Sequence, residues 1–190
     1  MARAPLTAAL VVAEAAALAD EAGFDAVTLS EVARRLGVRT PSLYSHVRDL
    51  AALRDGITDL ALRDLADRIA LGVAGRSGRA ALEGLADAHR TFARERPGRW
   101  GSLQRRAGPA AVGADGARAV VALTDAVLGG YGLPPDERVH ATRLLGSTIN
   151  GYLTLEGIGS FAHSSPPPQA SWDRILDALD AVLRAWPART

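Results

Sequence analysis

Thr28-Leu29-Ser30-Glu31-Val32-Ala33-Arg34-Arg35-Leu36-Gly37-Val38-Arg39-Thr40-Pro41-Ser42-Leu43-Tyr44-Ser45-His46-Val47 reads as two short helices around a tight turn. Thr28 opens the first as a capping box. Its hydroxyl accepts from the Glu31 amide, and the Glu31 side chain reaches back to the Thr28 amide. Val32, Ala33 and Leu36 supply one apolar face, and Gly37 falls where a left-handed residue ends a helix. Thr40 then serves as N-cap, with Pro41 at the first helical position, where its missing N–H costs nothing. Leu43 and Val47 face inward together. That leaves Arg39, Thr40, Pro41, Ser42, Tyr44, Ser45 and His46 to the outside or the rim. Two short helices joined by a glycine turn describe a helix-turn-helix. The outward groups are hydroxyls, a phenol, an imidazole and a guanidinium, which hydrogen-bond to base edges and phosphates. Arg34, Arg35, Arg39 and Arg48 against Glu31 give the stretch a local charge of about +3, with Glu14, Asp20, Glu21 and Asp25 outside it, as DNA binding needs.

The rest of the composition narrows the possibilities. The 190 residues carry a net charge of only +1, so any basic patch is local. All 22 basic residues are arginine. There is no cysteine, which excludes disulfides, thiol catalysis and cysteine metal sites. No apolar run is long enough to span a bilayer. Met1-Ala2-Arg3-Ala4-Pro5-Leu6, followed by a stretch holding Glu14, Asp20 and Glu21, makes a poor secretion signal, so a cytoplasmic address is expected.

Helix is expected almost throughout, because no stretch alternates with period two over a useful length. The spacing predicts helices over 6–22, 29–36 and 41–47, and a long one after Asp49 carrying Leu50, Leu53, Ile57, Leu60, Leu65 and Ile69. Further helices are predicted over 79–94, 100–106, 117–128, 136–158 and 172–185, with Ser171 capping the last. The glycine-rich stretch 108–116 reads as a loop, and Ser164 to Pro168 as a stiff connector. The expected domains are residues 1–52, a three-helix helix-turn-helix unit, and residues 53–190, a helical unit.

Leu36 to Val47, together with Gly23-Phe24, Thr28-Leu29 and Val32-Ala33 upstream, resembles the DNA-binding motif of the TetR family of bacterial repressors. The resemblance implies an all-α fold, and a homodimeric regulator that binds a palindromic operator on double-stranded DNA and is released by a small molecule. It implies phosphate contacts from Thr28 and Tyr44, base contacts from Arg39, Thr40, Pro41, Ser42 and Ser45, and an approach of His46 to the backbone. Where the family usually has a phosphate-binding lysine this chain has Leu50, and Arg48 is the substitute. Arg143 to Gly157 is more weakly similar to a C-terminal domain named for Trp, His and Gly; here those positions read Gly146, Asn150 and Gly151.

In the last predicted helix Trp172, Ile175, Leu176, Leu179, Val182, Leu183 and Trp186 form an apolar stripe. The stripe serves either as monomer core or, as the resemblance implies, as a four-helix dimer interface with the helix around 143–158. The dimer assignment rests on Trp172, Ile175, Leu176, Leu179 and Leu183. For a ligand pocket, apolar and aromatic residues with scattered polar ones are suitable, and Trp100, Gln104 and Asn150 are the candidates. No cofactor and no metal is expected, because the four histidines show no ligand spacing. Two rivals remain: a helical ligand- or partner-binding protein without specific DNA binding, and a small all-α enzyme. Against the enzyme, no phosphate-cradling glycine loop and no Gly-x-Ser-x-Gly elbow occurs.

Overall fold

The computed structural model describes residues 5–106 and 108–187. Met1 to Ala4, the start of the stretch read as a poor secretion signal, lie outside them. The described residues are helical, in the order α1 (Ala8–Ala22), α2 (Leu29–Leu36), α3 (Leu50–Val73), α4 (Gly78–Glu95), α5 (Pro97–Leu103), α6 (Pro109–Val112), α7 (Asp115–Gly129), α8 (Pro135–Gly157) and α9 (Pro168–Arg184). Two 3-10 segments, Phe24–Ala26 and Thr40–Ser45, flank α2. The all-α expectation holds. No described helix is long and apolar enough to cross a membrane.

The chain divides into two compact units. The first comprises residues 1–64 and 95–118, the second residues 65–94 and 119–190. A cut in the sequence after residue 52 groups the chain differently, because 95–118 returns to pack on the N-terminal helices.

In the first unit α1 starts two residues later than its apolar pattern suggests, because the Thr7 hydroxyl accepts from the Leu10 amide at 3.1 Å and fixes the end there. Val11, Ala15, Ala16, Leu18 and Ala19 of α1 bury against Val32, Ala33 and Leu36 of α2, Leu43 and Val47, and Leu53 and Ile57 of α3. The alanines of α1 allow close approach. A Cβ on Gly98 of α5 would lie 1.8 Å from the Ala19 carbonyl oxygen, so only glycine fits. Arg99 then ties α5 down: its amide and Nε donate to Asp20 at 2.9 and 2.8 Å, and its Nη1 to Asp64 at 3.2 Å.

The stretch 108–116 is not the loop its glycines suggest. Val112 donates to the Gly108 carbonyl at 3.1 Å to close the turn of α6, and α7 already begins at Asp115. Gly116 is required by packing: a Cβ there would meet the Arg63 backbone nitrogen at 2.8 Å.

The second unit buries Leu82, Leu85 and Phe92 of α4, Leu145 and Ile149 of α8, and Trp172, Leu176 and Leu183 of α9. Here α3 and α4 cross at a glycine pair: a Cβ on Gly84 would stand 2.0 Å from the Gly72 carbonyl oxygen. A polar cluster lies inside this unit. Arg90 of α4, only 5% exposed, donates from Nε and Nη2 to Glu156 at 3.1 and 2.6 Å and from Nη1 to Gln169 at 2.7 Å. Its guanidinium carbon lies 4.9 Å from the centre of the Trp172 ring, and the Trp172 indole donates to Asp87 at 2.8 Å. The helix α9 begins at Pro168 rather than Trp172, and Ser171 sits inside its first turns instead of capping it. Proline needs no amide partner at a helix start, so the connector runs straight into the helix.

Candidate nucleic-acid interface

Thr28 has the extended backbone of an N-cap, and its Oγ1 accepts from the Glu31 amide at 3.2 Å. The capping box is only half made. The Glu31 carboxylate turns along the helix to Arg34 instead of back to the Thr28 amide, because a charged donor three residues on outcompetes an exposed amide. At the other end Gly37 is left-handed, with φ 60° and ψ 37°. The Val38 amide donates to Ala33 at 3.0 Å and that of Gly37 to Arg34 at 3.1 Å, closing the helix as a Schellman motif.

The chain emerges extended at Arg39 and enters Thr40–Ser45. Two corrections apply here. Arg39, not Thr40, flanks the element, and no side chain caps it; the element is a 3-10 segment and not an α-helix through Val47. Six residues are too few to repay helix nucleation, and Ser45 Oγ donates to the Ser42 carbonyl at 2.9 Å in place of a longer ladder.

The sidedness agrees with the pattern. Leu43 and Val47 are buried, whereas Arg39, Pro41, Ser42, Ser45 and Arg48 are exposed and Thr40 and His46 half-buried. Tyr44 is 56% exposed. Thr28 is exposed too, with its hydroxyl 3.1 Å from that of Ser30. Leu50 is half-buried against the core, so it serves packing and not the surface.

Electrostatically the stretch differs from the expected surplus of positive charge. Arg35 is spanned by two carboxylates of α1, with Nε to Glu14 at 2.5 Å and Nη1 and Nη2 to Glu21 at 2.6 and 3.0 Å. Those acids lie outside the motif in the sequence, and the fold brings them in. Arg34 makes a two-bond pair with Glu31 at 2.9 and 2.5 Å, and Arg48 Nε donates to Asp49 at 2.8 Å. The hydrogen bond from Arg34 holds the Glu31 carboxyl below its ordinary range. The Ala52 amide, and after it Arg48, do the same for Asp49. Of the four arginines in the motif, Arg39 alone has no carboxylate partner among the described residues. The Glu31–Arg34 pair was legible as an i,i+3 spacing; the Arg35 clamp was not, since its acids lie far away in sequence.

The candidate pocket residues are not brought together within one unit. Trp100, buried, and Gln104, exposed at the end of α5, belong to the first; Asn150, half-buried on α8, belongs to the second. A cleft of about 460 Å³ in the second unit is lined by other residues, among them Tyr131, Glu137, Arg184 and Trp186. On α9 the stripe is divided. Trp172, Leu176, Leu179 and Leu183 are buried within the single chain, so they have little surface to offer a partner; Ile175 is half-buried and Val182 is 45% exposed.

Comparison with known proteins agrees with this architecture. Residues 11–54 match the bacterial regulatory proteins of the tetR family, and residues 82–179 the tetracyclin repressor-like C-terminal domain. The uncharacterised HTH-type transcriptional regulator YobS of Bacillus subtilis is 31% identical over 181 residues, which cover 95% of this chain and 91% of that protein. Among solved structures, a TetR variant from Acinetobacter baumannii in complex with minocycline is 25% identical with a TM-score of 0.72, covering 97% of this chain and 100% of that one. ActR of Streptomyces coelicolor in complex with actinorhodin is 19% identical with a TM-score of 0.74, covering 96% and 98%.

Proposed function

The chain belongs to the TetR family of bacterial regulatory proteins, and on that footing we propose that it is a cytoplasmic repressor that binds a palindromic operator as a homodimer and is released by a small molecule. The observation that carries the DNA-binding reading is the outward polar row of the turn after Gly37. Arg39, Thr40, Pro41, Ser42 and Ser45 face the bases. Thr28, Tyr44, His46 and Arg48 meet the phosphate backbone, which fixes register without reading sequence.

A dimer is supported by what α8 and α9 leave exposed. Ser147, Gly151, Leu155 and Ile158 recur along one side of α8, and Ala178, Ala181, Val182 and Ala185 along one side of α9 and its end. Ile158 is 73% exposed. Small and aliphatic side chains in such rows suit close helix packing against a second copy. One short recognition element discriminates few bases; two, set about one DNA turn apart, read a palindrome.

The relatives bound to minocycline and actinorhodin support a small-molecule effector. Of the proposed contacts, Trp100 and Gln104 belong to the first unit and Asn150 to the second, and each is proposed on its own. Effector and operator then weaken each other by the same factor, since the coupling is reciprocal.

Selection of binding sites from random duplex DNA tests the reading. A symmetric motif supports it, and failure to enrich any motif refutes specific binding. Tyr44→Phe should weaken binding alike on all sequences, whereas Arg39→Ala should change the preferred motif.

A further inference from the structure

The exposed pair between Glu31 and Arg34 occupies a revealing place. Glu31 sits in the first turn of α2, where the helix dipole favours an anion, and its amide donates to the Thr28 hydroxyl. That anion is at present a carboxylate of the chain itself. Arg34, three residues on, turns both Nε and Nη2 to it, and its side chain is 72% exposed.

The pairs around it differ in kind. The Arg35 side chain is 22% exposed and gripped by Glu14 and Glu21 of another helix, so it holds α2 to α1 and is not free to leave. The Arg34 pair is confined to one helix surface and joins no other element. Removing it costs the fold little, since an exposed ion pair is worth about 0–1 kcal/mol.

Resting on the DNA-binding reading above, we infer that Glu31 is an internal competitor of the DNA phosphate: it holds Arg34 in the free protein and must release it when the duplex docks. A guanidinium paired through two parallel hydrogen bonds accepts a phosphate in the same fork geometry, so the exchange is one anion for another. Glu31 thereby lowers affinity without touching a base, and it keeps non-specific binding weak in a protein whose net charge is only +1.

The test measures affinity of the full chain for a random-sequence duplex, and for the duplex selected by the wild type, over a range of salt. Glu31→Gln keeps the side-chain shape, and the Thr28 cap uses only the backbone amide of residue 31. It should tighten binding to both duplexes roughly tenfold at low salt and leave the log–log salt slope nearly as it is, because Arg34 meets a phosphate in both complexes and only the cost of breaking its pair is removed. In an Arg34→Ala background the same substitution should change affinity less than about twofold, because the arginine it frees is absent. An unchanged affinity for Glu31→Gln, with the wild type binding normally, overturns the inference and leaves the DNA-binding reading intact. An equal gain with and without Arg34 also overturns it, since Glu31 would then act by bulk charge alone. Wild-type protein that binds neither duplex overturns the underlying reading as well.

Discussion

Replacing Arg90 by methionine should be among the most damaging changes available in the second unit. The guanidinium is buried and makes three hydrogen bonds, two to Glu156 and one to Gln169, while stacking on Trp172. Methionine fills much of the volume but supplies no donor. Removing one partner of a buried ion pair costs about 3–5 kcal/mol, because the other charge is stranded. Glu156 is not wholly stranded here: Arg94 still donates to it at 3.1 Å, and its side chain is 15% exposed. The expected loss is therefore at the lower end, about 3 kcal/mol, and with a urea m-value of about 2 kcal/mol/M the midpoint should fall by about 1.5 M. Tryptophan fluorescence reads the transition, at one protein concentration for all variants.

The same variant has a pH signature. Burial pushes the Glu156 carboxyl up, but the hydrogen bonds from Arg90 and Arg94 outweigh that and hold it below its ordinary 4.5. A group depressed in the folded state contributes stability that is full above its unfolded pKa and disappears as pH falls through the folded value. The wild type should accordingly lose stability below about pH 4.5, and Arg90→Met should lose less over the same interval. Replacing both partners, Arg90→Met with Glu156→Leu, should recover a good part of the loss by removing the stranded charge. A single variant within about 1 kcal/mol of wild type, or with the same acid slope, would refute the reasoning.

Two glycine substitutions should have opposite signs. Gly98→Ala drives a Cβ onto the Ala19 carbonyl and should destabilise the first unit by roughly 2–4 kcal/mol in thermal unfolding. Gly146→Ala, inside α8 with its nearest neighbour 3.9 Å away, should stabilise by about 0.5–1 kcal/mol; a loss there would mean unseen crowding. Gly37→Ala forces a side chain into a left-handed cap and should cost about 1–2 kcal/mol, read by chemical denaturation together with weaker DNA binding. Val182→Glu places a charge on the exposed row of α9 and should give monomers in sedimentation with unchanged circular dichroism; an undisturbed dimer would move the interface elsewhere.

Local features were the legible ones. The Thr28 cap, the Gly37 stop and the inward Leu43 and Val47 depend on neighbours within one or two turns, so the sequence carries them openly. Three things were hidden because they depend on residues distant in the chain. Arg35 looks like a surface cation until Glu14 and Glu21 arrive from α1. Gly98 and Gly116 look like breaks but are places where backbones come close. The stripe on α9 mixes two destinations: Trp172, Leu176, Leu179 and Leu183 fill the monomer, while Val182 lies on the other side of the same helix. An apolar period says that a face is buried and not by whom.

The return of α5 to α1 bears on how such a regulator can exchange parts in evolution or in the laboratory. Sensor and DNA-reading segments look separable along the sequence, yet a graft that carries only residues 1–64 leaves behind Gly98 and Arg99, and with them the cover over Ala19 and the partner of Asp20. A recombinant of that kind inherits a reading head with an open seam. One that also brings residues 95–118 inherits it closed. The minimal transferable part is discontinuous, and a single crossover cannot move it whole.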